Sequence, residues 1–184
     1  MRIGFTMTVA GMAAAAAAVH AGDTQPLAAN TGGAALARIV PVPFTDVRLR
    51  DGFWLPRLET NRTVTVRYDF AKCEETGRID NFAKAAGRMQ GPFRGIPFDD
   101  SDVFKVIEGA AYTLATHPDA ELDAYLDRLI DTIAAAQEED GYLYTARRLF
   151  RPEAMPGMSG KERWSNLGSS HELYNVGHLY EAAV

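Results

Sequence analysis

A chain of 184 residues with formal net charge −5 and 47% hydrophobic residues is long enough for one ordinary domain, and nothing in its acidic balance suggests a nucleic-acid binder. Its single cysteine, Cys73, excludes an internal disulfide framework and any multi-cysteine metal site within these residues.

The chain opens with MRIGFTMTVAGMAAAAAAVHA: one early arginine, an uncharged alanine-rich core, and Val19-His20-Ala21 ahead of Gly22. That layout is an export signal cleaved after Ala21. The apolar run is shorter than the ~20 residues of a membrane span and no second run follows. No membrane anchor is therefore expected after cleavage, and the mature protein is expected in a periplasm or outside the cell. Residues 22–41, small and polar with Gly22, Gly32 and Gly33, read as a disordered leader.

In PFTDVRLRDGFW the alternation of Val47 and Leu49 predicts a short strand that ends in a turn at Asp51-Gly52. A helix is predicted from Leu55 to about Glu75, against the grain of its Thr-Val-Thr-Val run, because β-branched residues lose rotamer freedom in helices. Cys73 falls near the end of this helix and reads as a plain thiol. A helical turn around Phe82 to Ala86 then leads into a Gly/Pro-rich loop.

FDDSDVFKVIEGAAYTLA, Phe98 to Ala115, places Asp99, Asp100, Ser101 and Asp102 directly before a helical run that is apolar on nearly every side. That helix is predicted to be buried nearly all round. ELDAYLDRLIDTIAAAQ differs: Leu122, Tyr125, Leu126, Leu129, Ile133 and Ala136 form one stripe, and Asp123, Asp127, Arg128 and Asp131 face away. EEDGYLYT closes it at Asp140-Gly141 and becomes a short extended piece, and Phe150 to Lys161 reads as loop. A third strong helix is predicted from near Ser169, with Leu173, Val176, Leu179, Tyr180 and Ala183 on several sides.

Inner helix, outer helix, inner helix is the order that a barrel of helical hairpins produces. A solenoid would show a repeat of ~34 residues, which is missing here. The third helix reaches Val184 with no cap, glycine or charge cluster, so the chain is expected to be the N-terminal part of a longer protein.

HELYN, His171 to Asn175, is one residue short of a zinc-protease motif, because Asn175 stands where H-E-x-x-H requires the second histidine. His171 and His178, two turns apart, make no metal site without a third ligand. Ser169-Ser170-His171-Glu172 fits a capping box in which Ser169 and Glu172 satisfy free N–H groups. His171 has no such task, and in the first turn of an inner helix it would face whatever cavity the helix starts surround. One helix cap needs one or two polar residues. The surplus among Asp99 to Asp102 therefore suggests a hydrogen-bonding pocket for a polyhydroxylated ligand, with Asp100 and Asp102 at its rim.

GFWLPRLETNR, FDDSDVFKVIEGAAYTLATHPDAELDAYLDRLID, IAAAQEEDGYLYT and RWSNLGSSHELYNVGHLYEAAV, in this order, resemble the N-terminal part of the β-L-arabinofuranosidase family, glycoside hydrolase family 127, over residues 42–184. The resemblance implies an all-α fold, part of an (α/α)6 barrel with a sugar pocket at one end, and a carbohydrate partner. It implies a retaining glycosidase whose nucleophile is a zinc-bound cysteine thiolate and whose acid/base is a glutamate. Those residues belong to a later part of the family's chain, and Cys73 matches none of them. No catalytic residue or metal ligand is therefore expected here, and these residues alone should be inactive. His171 matches a family position that contacts the sugar; Asp100 and Asp102 carry no such match. Two alternatives stay open: an unsaturated uronyl hydrolase or polysaccharide lyase on the same type of barrel, and a non-catalytic helical carbohydrate-binding module.

Overall fold

The structure, a computed structural model, describes residues 40–150, 160 and 162–184. The export signal, nearly all of the leader, and most of the loop from Phe150 to Lys161 lie outside them. Every regular element among the described residues is helical.

The strand expected around Val47 and Leu49 does not form. Phe44–Asp46 make one 3₁₀ turn, and both alternating side chains stay exposed, at 49% and 39%. A strand needs a neighbour to pair with, and the described residues contain no other strand. Asp51 serves a helix instead of a hairpin: its Oδ1 accepts from the N–H of Phe53 at 2.8 Å and from that of Trp54.

The first helix, α1, covers Trp54–Thr60 and passes through a wider π turn, Asn61–Thr65, into α2, Val66–Glu75. The β-branched run is absorbed rather than broken. Thr60 and Thr63 donate their hydroxyls back to the carbonyls of Pro56 and Glu59, a bond that loosens and bends helices. Gly77, at φ 81°, turns the chain into α3, Arg78–Ala85, a full helix where a single turn was expected. Asn81, fully buried, fastens the Gly/Pro loop to α3 by bonding both the N–H and the carbonyl of Arg94.

The acidic stretch starts α4, Asp100–Thr116, which packs against α2, α3, α5 and the last helix. Burial is confined to its first three turns: Val103, Phe104, Ile107 and Ala110 are buried, whereas Tyr112 is 52% exposed and meets the edge of the Phe44 ring. α5, Ala120–Ala136, matches its stripe: Leu122, Leu126, Leu129, Ile133 and Ala136 are buried, and Asp123, Asp127, Arg128 and Asp131 are exposed. Asp119 caps it through the N–H groups of Glu121 and Leu122. The core lies between these helices, with Phe82 of α3 against Phe104 of α4, ring centres 5.6 Å apart.

After the extended piece Tyr142 to Tyr144, a short unexpected helix, α6, spans Thr145–Leu149. The last helix arrives in two parts, α7, Leu167–Ser170, and α8, Glu172–Ala183, separated by His171 in a left-handed conformation. α8 is less enclosed than expected of an inner helix: Glu172 and Asn175 are its buried residues, while Leu173 and Tyr180 are 57% and 66% exposed.

Candidate functional site

The surplus of polar groups before α4 is consumed inside the fold. Asp99 reaches back, accepting from the Ile96 N–H at 2.9 Å, with Arg78 at 3.5 Å. This close turn explains Gly95, at φ 92°, where a Cβ would sit 2.0 Å from the Asp99 carboxylate. Ser101 donates to the Phe98 carbonyl. Asp100, 2% exposed, accepts from the Thr145 N–H at 2.8 Å and from the Thr145 hydroxyl at 2.5 Å. Burial pushes its carboxyl up to about 7, against the Thr145 hydrogen bonds, with the Asp99 charge adding to the rise. Asp102 accepts from Arg78 Nε at 2.8 Å and lines a recess with Cys73 and Lys105.

Asp100 is thus enclosed behind Thr145 rather than at a rim, whereas Asp102 remains open to solvent. Each has an internal donor, and Asp100 and Asp102 face different neighbours.

The start of α8 also departs from expectation. No capping box forms on Ser169. The Glu172 carboxylate, 1% exposed, turns inward and accepts from the Tyr142 hydroxyl at 2.5 Å, the Ser170 hydroxyl at 2.8 Å and the Trp164 N–H at 3.1 Å, with Arg147 Nε 3.6 Å away. Burial and the bond to Glu172 push the Tyr142 phenol well above its ordinary pKa, so it remains a donor.

Tyr142 and Tyr144 of the extended piece and Thr145, the first residue of α6, tie the two helix starts together. Thr145 grips Asp100 at the start of α4, Tyr142 grips Glu172, and Tyr144 donates its hydroxyl to the Ser170 carbonyl at 2.5 Å. In an extended segment residues i and i+2 share a side, which is how Tyr142 and Tyr144 both reach the α7–α8 junction.

His171 lies above this buried lattice, half-buried, with its ring stacked on Phe98 of the α4 start, centres 4.2 Å apart at 28°. Its Nδ1 is 2.8 Å from the Ser169 carbonyl. A carbonyl can only accept, so Nδ1 carries the proton, and in the neutral ring Nε2 is left as an acceptor. Tyr174 stands edge-on to His171 at 5.9 Å, and His178 edge-on to Tyr174 at 4.5 Å. Lys105 donates to the Tyr174 hydroxyl at 2.6 Å. An aromatic ridge carrying one imidazole acceptor suits a ligand with both apolar faces and hydroxyl groups.

Zinc does not fit these residues. Among the described residues no three His, Cys, Asp or Glu side chains converge as ligands. Burial pushes the Cys73 thiol up to about 11, which keeps the free thiol protonated.

Comparison with known proteins decides the relationship. The family profile described as β-L-arabinofuranosidase, GH127 catalytic domain, matches residues 46–184. The chain belongs to that family. The non-reducing end β-L-arabinofuranosidase of Bifidobacterium longum subsp. longum is 46% identical over 107 residues, 58% of this chain and 16% of the relative. A solved GH127 β-arabinofuranosidase superposes with a TM-score of 0.70 at 50% identity, covering 77% of this chain and 23% of that one. A GH127 β-L-arabinofuranosidase from Geobacillus stearothermophilus T6 superposes with a TM-score of 0.67 at 38% identity, covering 74% of this chain and 21% of that one. The chain thus spans less than a quarter of each of these GH127 relatives.

Within this GH127 chain the local sequence points to His171 but not to Phe98, Tyr142, Tyr144, Thr145 and Tyr174. The Tyr-x-Tyr spacing of Tyr142 and Tyr144 was the available signal. Their partners lie 26 and 30 residues downstream, beyond any local pattern.

Proposed function

We propose that residues 42–184 are the N-terminal part of the catalytic domain of a secreted retaining glycoside hydrolase. The enzyme releases β-L-arabinofuranose from plant-derived glycans, and His171 contacts the sugar. Family membership supports the substrate class. The packing of α4 against α8, with the half-wet α5 beside it, supports an (α/α)6 barrel. The observation that carries the role of His171 is its ring, stacked on Phe98 and fixed by Ser169 so that Nε2 can accept from a sugar hydroxyl. Asp100, closed off by Thr145, and Asp102, paired with Arg78, belong to the neighbouring helix start. The zinc–cysteine chemistry of the resemblance has no ligand set among the described residues, and no step of it is assigned to them. The export-signal pattern of residues 1–21 supports a periplasmic or extracellular enzyme.

The test uses the intact gene product with an aryl β-L-arabinofuranoside. Truncating a hydrogen bond in such a polar site costs roughly 1 to 3 kcal/mol, so His171→Ala should lower kcat/KM about 5- to 150-fold. Unchanged turnover would remove His171 from the site. Cleavage of unsaturated uronides in place of arabinofuranosides would favour the uronyl hydrolase alternative.

A further inference from the structure

Two non-glycine residues among those described hold a left-handed backbone, Trp164 at φ 64° and His171 at φ 57°. This conformation places Cβ close to the neighbouring carbonyl, and outside glycine it persists where surrounding contacts over-determine it. Both residues adjoin one carboxylate: the Trp164 N–H donates to the two Glu172 oxygens at 3.2 and 3.1 Å, and His171 is the residue directly before Glu172.

We propose that Glu172 is the positioning residue of His171: through Tyr142, Trp164 and Ser170 it holds the left-handed hinge that sets the imidazole on Phe98. The proposal rests on the reading of His171 as the sugar contact.

The hinge is clamped on both sides. Before it, the Ser170 hydroxyl donates to Glu172 Oε2 and the Ser170 carbonyl accepts from Tyr144. After it, the His171 carbonyl accepts from the Asn175 N–H at 2.9 Å, which starts α8. A helix running straight through residues 167–183 would need no left-handed residue within it. The inward carboxylate gives the break its reason: it offers the part-buried Trp164 N–H and the buried Tyr142 and Ser170 hydroxyls one shared acceptor. Tyr142 reaches it from the extended piece that leads into Thr145, the partner of Asp100, so one carboxylate joins the hinge to the rest of the site.

Glu172→Gln keeps size but replaces one acceptor oxygen with an NH₂ that opposes the incoming donors. In the intact gene product, with an aryl β-L-arabinofuranoside, this variant should lower kcat/KM about tenfold. Placed on His171→Ala, the same substitution should change kcat/KM by less than about twofold, because its effect passes through His171. An equal loss in both backgrounds, or no loss in the wild-type background, overturns the proposal. Should Glu172→Gln fail to fold, Tyr142→Phe removes one donor alone and should show the same dependence on His171 with a loss of about threefold; independence from His171 overturns the proposal equally. An active His171→Ala enzyme would sink the sugar-contact reading, and the crystal structure of Glu172→Gln then decides the positioning role. There a His171 backbone that leaves the left-handed region supports positioning, and one that stays near φ 57° overturns it.

Discussion

At the start of α4, Asp100 sets its two carboxylate oxygens against one residue, Thr145, with the Asp99 carboxylate as its neighbour. At the start of α8, Glu172 gathers donors from Tyr142, Trp164 and Ser170, and the Arg147 guanidinium lies 3.6 Å away. Both side chains are almost fully enclosed, at 2% and 1% exposure. Burial alone therefore does not decide what a carboxylate contributes. The donors it meets decide: two neutral groups leave the Asp100 charge poorly compensated, whereas Glu172 joins three donors from three segments beside a cation.

The largest expected effect follows from that contrast. Glu172→Ala strands two buried hydroxyl donors and the part-buried Trp164 N–H beside Arg147 and should destabilise the protein by about 3 to 5 kcal/mol. Asp100→Ala strands the Thr145 N–H and hydroxyl but also relieves a disfavoured charge, so about 1 to 3 kcal/mol is expected. Denaturant midpoints of the two variants measure the difference. A larger loss at Asp100 would reverse the comparison.

The same contrast explains what could be read without the structure. The stripe of α5 was legible because Leu122, Leu126, Leu129 and Ile133 recur at helical spacing and polar residues fill the other face. The polar residues that precede the apolar runs were legible too, as two marked helix starts. The work of each residue there was not, because it depends on partners distant in sequence: Thr145 is 45 residues from Asp100, and Tyr142 is 30 from Glu172. Ser169-Ser170-His171-Glu172 satisfies the capping pattern letter by letter, yet Tyr142, Trp164 and Ser170 draw the Glu172 side chain inward and the helix breaks at His171. The strand at Val47 and Leu49 failed for a related reason, since alternation marks a two-sided segment but supplies no neighbouring strand.

A smaller and more specific effect concerns pH. The Asp100 carboxyl titrates near 7 in the folded protein against an ordinary value of 3.8, so between these values the folded form holds a proton that the unfolded chain has released. Stability from this group is fully present below about pH 4, falls as pH rises towards 7, and is level above that. Asp99, also raised by burial, adds a slope of the same sign. Asp100→Asn keeps an acceptor for the Thr145 N–H and cannot ionise. Thermal midpoints from pH 4 to 8 should therefore show the variant gaining on the wild type as pH rises. A constant difference across that range would mean that the Asp100 charge is better compensated than its two neutral donors imply.

The smallest effect is expected at Asp102, two residues along from Asp100 and of the same chemistry. Its side chain is 43% exposed and its partner Arg78 is 24% exposed, with Nε 2.8 Å from the carboxylate. Water can replace much of what that pair provides, and exposed or half-exposed ion pairs contribute roughly 0 to 1 kcal/mol. Asp102→Ala should accordingly cost less than about 1 kcal/mol and leave turnover of an aryl β-L-arabinofuranoside close to wild type. Arg78 retains Asp99 at 3.5 Å, so the substitution does not leave it alone. Raising the salt concentration should shrink the remaining difference, because accessible charges are screened and enclosed ones are not. A large loss of turnover from Asp102→Ala, with stability preserved, would return Asp102 to the sugar-binding role and break the division between an enclosed Asp100 and a solvated Asp102.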